Sequence, residues 1–546
     1  MSGSRPNFRR GRRGLAWAVG VFGTLGWLAI SAHAADPGQE QVSKDFQKTL
    51  NLSAGQSVRI EHKFGEIKLH GEAGREVKIF ARIHAQASSR AEAESFAEKI
   101  RIEVEQTAQG VQIRTVYPQD QSWIRNRKNT SFSVDYDIAM PGDAALVVNN
   151  NFGNVNAVNV HGMAEIENNH GQLTLHDSGA ARVSNAFGSI DVNNAAGNVS
   201  ITNNNGSVNV SSIKGSLDLR NRFGNVTANS IQNSVTINGG NGPVQVTDAG
   251  ETTINNSFGA VATRNIGGNL TVHNNNGAIE VSNVSGTATL HASFGAITFT
   301  NVSGAVKCTA SNGKVEGKQA GEVSVTTSFG EVSLEQITGP VEVEDSNGAI
   351  NAREIKGYAK FNTSFGSIEA SGLHKGVRAT TGNGAVNLSD VDGDAYVKTS
   401  FGAVQTKRIN GNVIIENSNG QVTVNTVKGD VTVKTSFGAA TVEDISGQIN
   451  VNNQNGGVMI STARASTGCK NITANTSFSS IQVRLPENAS YSVTARTSLG
   501  RIRTDFPVTA SGLLGGDTLN GKIGNGGCTL SLVNSNGGIE ILKLAN

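Results

Sequence analysis

Five glutamates, Glu331, Glu335, Glu342, Glu344 and Glu354, crowd one short stretch of the chain. Two carboxylates about 5–9.5 Å apart are what glycoside cleavage requires, and neighbouring turns of a repeat could hold a pair at that separation. Acids at outward strand positions are, however, the ordinary solvated state, and that is the expectation here. Asp390-Val391-Asp392-Gly393-Asp394 opens like a calcium loop. An EF-hand loop needs a bidentate acid at its twelfth place, and counting from Asp390 that place is Phe401. The glycine-rich calcium nonapeptide of other solenoids is absent too, so an acidic turn is the expectation. His273 and His291 stand one repeat apart, but their counterparts Asn255 and Thr309 add no strong metal ligand. No nucleophile elbow, phosphate loop, zinc-ligand pair or dinucleotide fingerprint occurs. The residues therefore predict no catalytic, cofactor-binding or metal site, and a protein that is not an enzyme.

Composition describes the elements that must carry these residues. Of 546 residues 65 are Gly and 8 are Pro, with 37% hydrophobic and 16% charged. Globular chains run nearer ~45–50% apolar and ~25% charged. Both classes being low suits many short strands and turns around a thin, repetitive interior. Arg5, Arg9, Arg10, Arg12 and Arg13 precede an apolar stretch, Leu15–Ile30, and Ala32-His33-Ala34 supplies a small–x–small cleavage pattern. Residues 1–34 read as a signal peptide, leaving no membrane span after cleavage. Removing its five arginines turns the formal net charge of +2 into −3. No basic cluster survives to neutralise phosphates, so nucleic acid is not an expected partner. Cys308 reads as a small buried hydrophobe. Cys469 and Cys528 both lie in the closing region; an oxidising compartment would let them pair, but spacing leaves their geometry open.

Residues 35–143 read as an α+β amino-terminal capping unit, or a lead-in sheet carrying one helix. Ser57-Val58-Arg59-Ile60-Glu61 and Glu76-Val77-Lys78-Ile79-Phe80 alternate as half-buried strands. Ser89 and Glu92 form a capping box opening a helix from Arg90 to about Ile100. Strands follow at Arg101–Glu105, Val111–Val116 and Ser131–Ala139. Trp123 sits among basic residues in an expected loop.

Beyond residue 143 Phe-Gly recurs with Phe at 152, 187, 223, 258, 294, 329, 365, 401 and 437. Midway stands Asn-Gly, with Asn at 205, 241, 276, 312, 347, 383, 419 and 455, and His170 fills the first such place. The unit is thus about eighteen residues, with two short alternating strands between glycine turns. A type I′ hairpin wants φ > 0 at both central residues, which Phe does not accept. The unit is better read as one coil of an all-β, parallel β-solenoid. Alternation puts Val413, Ile415, Asn417 and Asn419 on one face, so the Phe/Asn position is expected to point inward beside a corner. Asn would leave room for the rings, and its amide, like the His170 ring, would satisfy corner backbone groups. Residues 144–460 are the regular coils, roughly 17 of them and about 80 Å long at ~4.8 Å per coil. Residues 461–546 are irregular coils and a carboxy-terminal cap, with Ser461–Lys470 as an insertion.

The Ser-Phe-Gly-x-Ile/Val and Ser-Asn-Gly-x-Ile/Val units resemble a bacterial family of exported β-strand-repeat proteins that carry the label "adhesin" and have no known function. Lys63-Phe64-Gly65-Glu66-Ile67, the Ser89–Ile100 helix, Val134-Asp135-Tyr136-Asp137-Ile138 and Pro141 fit the same pattern. The resemblance implies an exported or cell-envelope β-solenoid and supplies no catalytic residues. The expectation is an exported scaffold or adhesin-like binding module whose repeated polar faces contact a polysaccharide or an envelope protein. The alternatives are a polysaccharide-active β-helix enzyme and a self-assembling structural protein.

Overall fold

The computed structural model describes residues 39–118, 130–462, 468–510 and 516–544. The expected signal peptide and Trp123 lie outside the described residues. Each eighteen-residue unit is one coil of a parallel β-solenoid. The unit from Val404 supplies strand Val404–Ile409 to one sheet, turns at Asn410–Asn412, and supplies Val413–Glu416 to the facing sheet. The next coil repeats this directly above it, with Val404 beside Val422 and Val413 beside Val431. Parallel pairs run in register from coil to coil, and 25 strands join in the first sheet. Inward side chains from both sheets form one continuous core from Leu52 to Ile541.

Period-2 alternation explains the second sheet: Val413, Ile415 and Asn417 are buried, and Ile414 is exposed. The first sheet departs from it. Val404 and Thr406 are buried, then Lys407 and Arg408 both face out, and Ile409 is buried again. Arg408 has φ +56°, and a left-handed residue recurs at this place in nearly every coil, from Asn159 through Asn283 to Asp444. That kink carries the chain round the corner. Asn, Asp and Ser predominate there because their short polar side chains tolerate this region. Several also bond from coil to coil: Asn283 Nδ2 donates to Asn265 Oδ1 at 2.8 Å, and Asn301 Nδ2 to Asn283 Oδ1 at 2.9 Å.

The amino-terminal region is a lead-in sheet rather than a separate unit. Strands Ser57–Glu61 and Ile67–Glu72 already form a coil, pairing in parallel with Ala145–Phe152 and Val155–Val158. The Lys63-Phe64-Gly65 signature marks its corner, so the coils begin about ninety residues before the expected boundary at 144. Strands Gly110–Val116 and Ser131–Pro141 extend the two sheets by one further level. Arg101–Thr107, Glu76–Ala87 and Glu40–Asn51 then add antiparallel strands. Helix Arg90–Lys99 lies over the last two of these, its N-cap Ser89 accepting from Glu92 N at 3.3 Å, with Ala93 and Ala97 buried. The outermost strands at this end are thus antiparallel ones, which do not present the parallel coil edge to a neighbour.

At the other end chain order and spatial order part. The coil Ile472–Thr476/Ile481–Leu485 is followed in space by Cys528–Asn534/Ile539–Lys543, and only then by Tyr491–Thr497/Ile502–Thr504. Antiparallel Thr518–Ile523 closes the end. Cys469 and Cys528 form a disulfide that ties the inserted coil to its neighbour. Cys308 is buried, and burial pushes its thiol pKa well up, which leaves it a packing residue.

Candidate functional site

The corner after each second-sheet strand is built around a glycine. At Gly277 φ is +140° and an added Cβ would stand 2.2 Å from Gly259 O of the coil before, so the backbones touch and only glycine fits. Just before the glycine, alternation stops. A buried amide or hydroxyl fills the inside of the corner: Asn274 Nδ2 donates to Gly259 O and Gly277 O at 2.9 and 3.0 Å. In later coils Thr381 Oγ1 donates to Gly366 O and accepts from Gly384 N. Two residues further on comes the Phe/Asn position, and it faces outward, contrary to the inward placement that alternation predicts. The backbone has begun its turn by then, and the inner corner is already occupied. The phenylalanines from Phe152 to Phe478 are 39% to 65% exposed. The predicted amide ladder does exist inside the corner, two residues earlier than expected. His170 does not serve the corner backbone but stacks between Phe152 and Phe187, with ring centroids 4.6 and 4.9 Å away. The result is an exposed edge, aromatic and amide in alternation, running nearly the length of the molecule.

A second feature lies on the outer face of the second sheet. A hollow of about 480 Å³ spans the coils from Met163 to Asn238. Arg182, Ser200, Asp218 and Thr236 succeed one another in one outward column, with Arg220 and Asn238 in the next. Arg220 approaches Asp218 at 4.0 Å. Small side chains at Ala180, Ser200, Ser216 and Ser234 make the depression, and guanidinium, hydroxyl and amide groups rim it. Sequence reading did not single out this site. Charged residues recur at these outward places in other coils, such as Lys307, Glu342 and Arg378, so charge alone does not mark it in the sequence.

The glutamates do not form one cluster. Glu342 and Glu344 share the outer face of one second-sheet strand, while Glu335 and Glu354 lie on the first sheet, so the core separates the two sets. Four of the five have a partner: Glu335 with Lys318 at 3.3 Å, Glu342 with Lys360 at 2.6 Å, Glu354 with His374 at 3.7 Å, and Glu331 with Asn351 at 2.7 Å. The three aspartates of the 390–394 turn likewise face separate partners. Asp390 receives Arg408, Asp392 receives His374 and Asn410, and Asp394 accepts from Asn412 N. The Arg408 hydrogen bond holds the Asp390 carboxyl below its usual range, and the Asn410 and His374 bonds do the same for Asp392. His273 and His291 are neighbours, centroids 5.7 Å apart, and no group of three or more potential metal ligands occurs among the described residues.

A buried polar cluster closes the amino-terminal end. His62 Nδ1 lies 3.0 Å from Thr115 Oγ1, which lies 2.6 Å from the Tyr136 hydroxyl. Burial holds the His62 pKa down to about 4 and pushes those of Tyr117 and Tyr136 up, so all three are neutral packing groups at ordinary pH.

Against this geometry, a protein-family comparison matches residues 261–434 to Toastrack DUF4097. The matched segment lies wholly within the regular coils and agrees with the β-solenoid. No curated protein matches the sequence. Among solved structures, a "putative cell adhesion protein" from Clostridium sporogenes is 10% identical. That alignment covers 49% of this chain and 100% of that one, at a TM-score of 0.17, too distant to inform fold or function.

Proposed function

We propose that the protein is an exported, non-catalytic solenoid of the cell envelope that binds an extended polysaccharide along its outer faces. The observation that carries this reading is the hollow around Arg182, Asp218 and Arg220. It is shallow, crosses several coils, and offers guanidinium, hydroxyl and amide groups in columns at the coil spacing. Such groups suit sugar hydroxyls, and contacts repeated in register add up by avidity. The Cys469–Cys528 disulfide supports an oxidising compartment, in line with the expected signal peptide. Of the two glutamates that adjoin on one strand face, Glu342 is held by Lys360 and Glu344 lies exposed, which gives no support to an acid–base pair.

The test is retention on a panel of insoluble polysaccharides, with soluble products assayed in the same samples. Retention without product release, weakened about tenfold or more in an Arg182→Ala/Arg220→Ala double variant, is the expected result. Loss of retention across the panel removes the polysaccharide reading, and release of sugar products removes the non-catalytic one.

A further inference from the structure

The alternation of large and small along the corner edge is not a packing requirement of a single rod. Phe64, Phe152, His170 and Phe187 occupy four successive coils, and their rings stack at 5.4, 4.6 and 4.9 Å with interplanar angles of 9–15°. Adjacent coils therefore accept rings at every level. From Phe187 onward the edge nevertheless alternates strictly, Phe187 beside Asn205 beside Phe223, and on to Phe437 and Asn455. The pattern persists even where chain order breaks. The last levels in space are Phe478, Asn536 and Leu499, because the coil carrying Asn536 is inserted between the other two. A rule kept by position in space, against position in sequence, is a rule about the surface.

In the first four levels the ring faces turn toward one another along the rod axis. Where asparagine intervenes, two phenylalanines stand two coils apart, about 9.6 Å. Two stacking distances of the kind seen in those four levels fill such a gap, so each slot admits one further ring. We infer that this edge docks a second copy of the chain, with the phenylalanines of each rod seated over the asparagines of the other.

A copy of the same edge has teeth of the required size, number and spacing. Two parallel rods related by a closed two-fold axis would set Phe against Phe at every level. Antiparallel rods, with the axis passing between adjacent coils such as those of Phe329 and Asn347, set Phe against Asn throughout. Closed symmetry thus selects the antiparallel pair. From Phe187 to Phe478 the residues flanking the column are Ser, Asn, Gln, Gly, Ala or Pro, with Arg222, Lys314 and Glu331 the charged exceptions. Like edges therefore meet without general repulsion. Nine phenylalanines over that span, each about half exposed, offer about 100 Å² apiece. Two copies then bury roughly 1,800 Å², the size of a specific interface.

Sedimentation velocity over about 1–100 µM tests the pairing on the purified protein, beside two variants whose folding is checked by circular dichroism and melting temperature. Phe294→Asn/Phe329→Asn/Phe365→Asn/Phe401→Asn removes teeth; Asn312→Phe/Asn347→Phe/Asn383→Phe fills slots with the rod's own rings. The expected result is a wild-type dimer whose Kd rises about 100-fold or more in both variants, although the second is the more apolar. A wild type that stays monomeric overturns the inference, as does a slot-filled variant that pairs as tightly as or tighter than the wild type. A soluble linear polysaccharide that co-sediments with monomers, and no longer does so in the Phe→Asn variant, assigns the column to a glycan and also overturns it.

Discussion

Gly277→Ala places a Cβ against the Gly259 carbonyl at a φ of +140°. Both the clash and the backbone strain belong to the folded state, so a loss of at least ~2 kcal/mol in chemical denaturation is expected. The left-handed column gives an opposite case. Gln336 has φ +58°, and Gln336→Gly removes a penalty of about 1 kcal/mol against some gain in unfolded-chain entropy. The expected net is a stabilisation of a few tenths of a kcal/mol, whereas Asn283→Val, which also loses its bonds to Asn265 and Asn301, destabilises by ~1–2 kcal/mol. Glycine corners were plain in the sequence because Phe-Gly and Asn-Gly recur. The left-handed column was legible and overlooked: Val404 and Ile409 are both buried, and an odd interval of five cannot place both inward on a regular strand. His62 adds a pH dependence. Its folded pKa of about 4 lies below the ordinary 6.5, so its contribution is complete above pH 6.5 and lost as pH falls through 4. Roughly 3 kcal/mol is at stake, with about 2 kcal/mol gone at pH 5. His62→Gln should flatten that part of the stability–pH curve, and an unchanged slope would exclude His62 as its source.

Among the elements, the strands and the helix Arg90–Lys99 follow from alternation and the Ser89 cap, while the outward turn of the Phe/Asn position does not. Period-2 reasoning holds only while the strand lasts, and the corner begins two residues before the glycine. The amino-terminal boundary was misplaced for a related reason. Phe64-Gly65 is a single corner, and the strands inserted after it interrupt the repeat before it can be counted. At the far end, sequence order could not show that residues 528–543 insert between two earlier coils. The Cys469–Cys528 disulfide closes 59 residues around that insertion, a loop for which chain-entropy reasoning gives about 4 kcal/mol. Reduction, or a Cys469→Ser/Cys528→Ser variant, is expected to raise amide exchange in the closing coils and leave Val404–Ile445 protected. Uniform loss of protection would show that the coils open as one unit.

As a whole molecule the solenoid has two covered ends and open sides. Its levels, from Ser131–Pro141 to Ile502–Thr504, make a rod of roughly 110 Å, longer than the regular repeats alone imply because both ends continue the same sheets. The helix and the antiparallel strands at the two ends interrupt the parallel pairing that end-to-end growth would need. The polar hollow and the aromatic–amide edge lie on the sides, where the proposed contacts would be made. Small-angle scattering of the purified protein across a concentration series tests this most directly. The expected result is a maximum dimension that stays near 110 Å while the cross-section thickens with concentration. A dimension that lengthens toward twice that value, or a compact particle at every concentration, would contradict it.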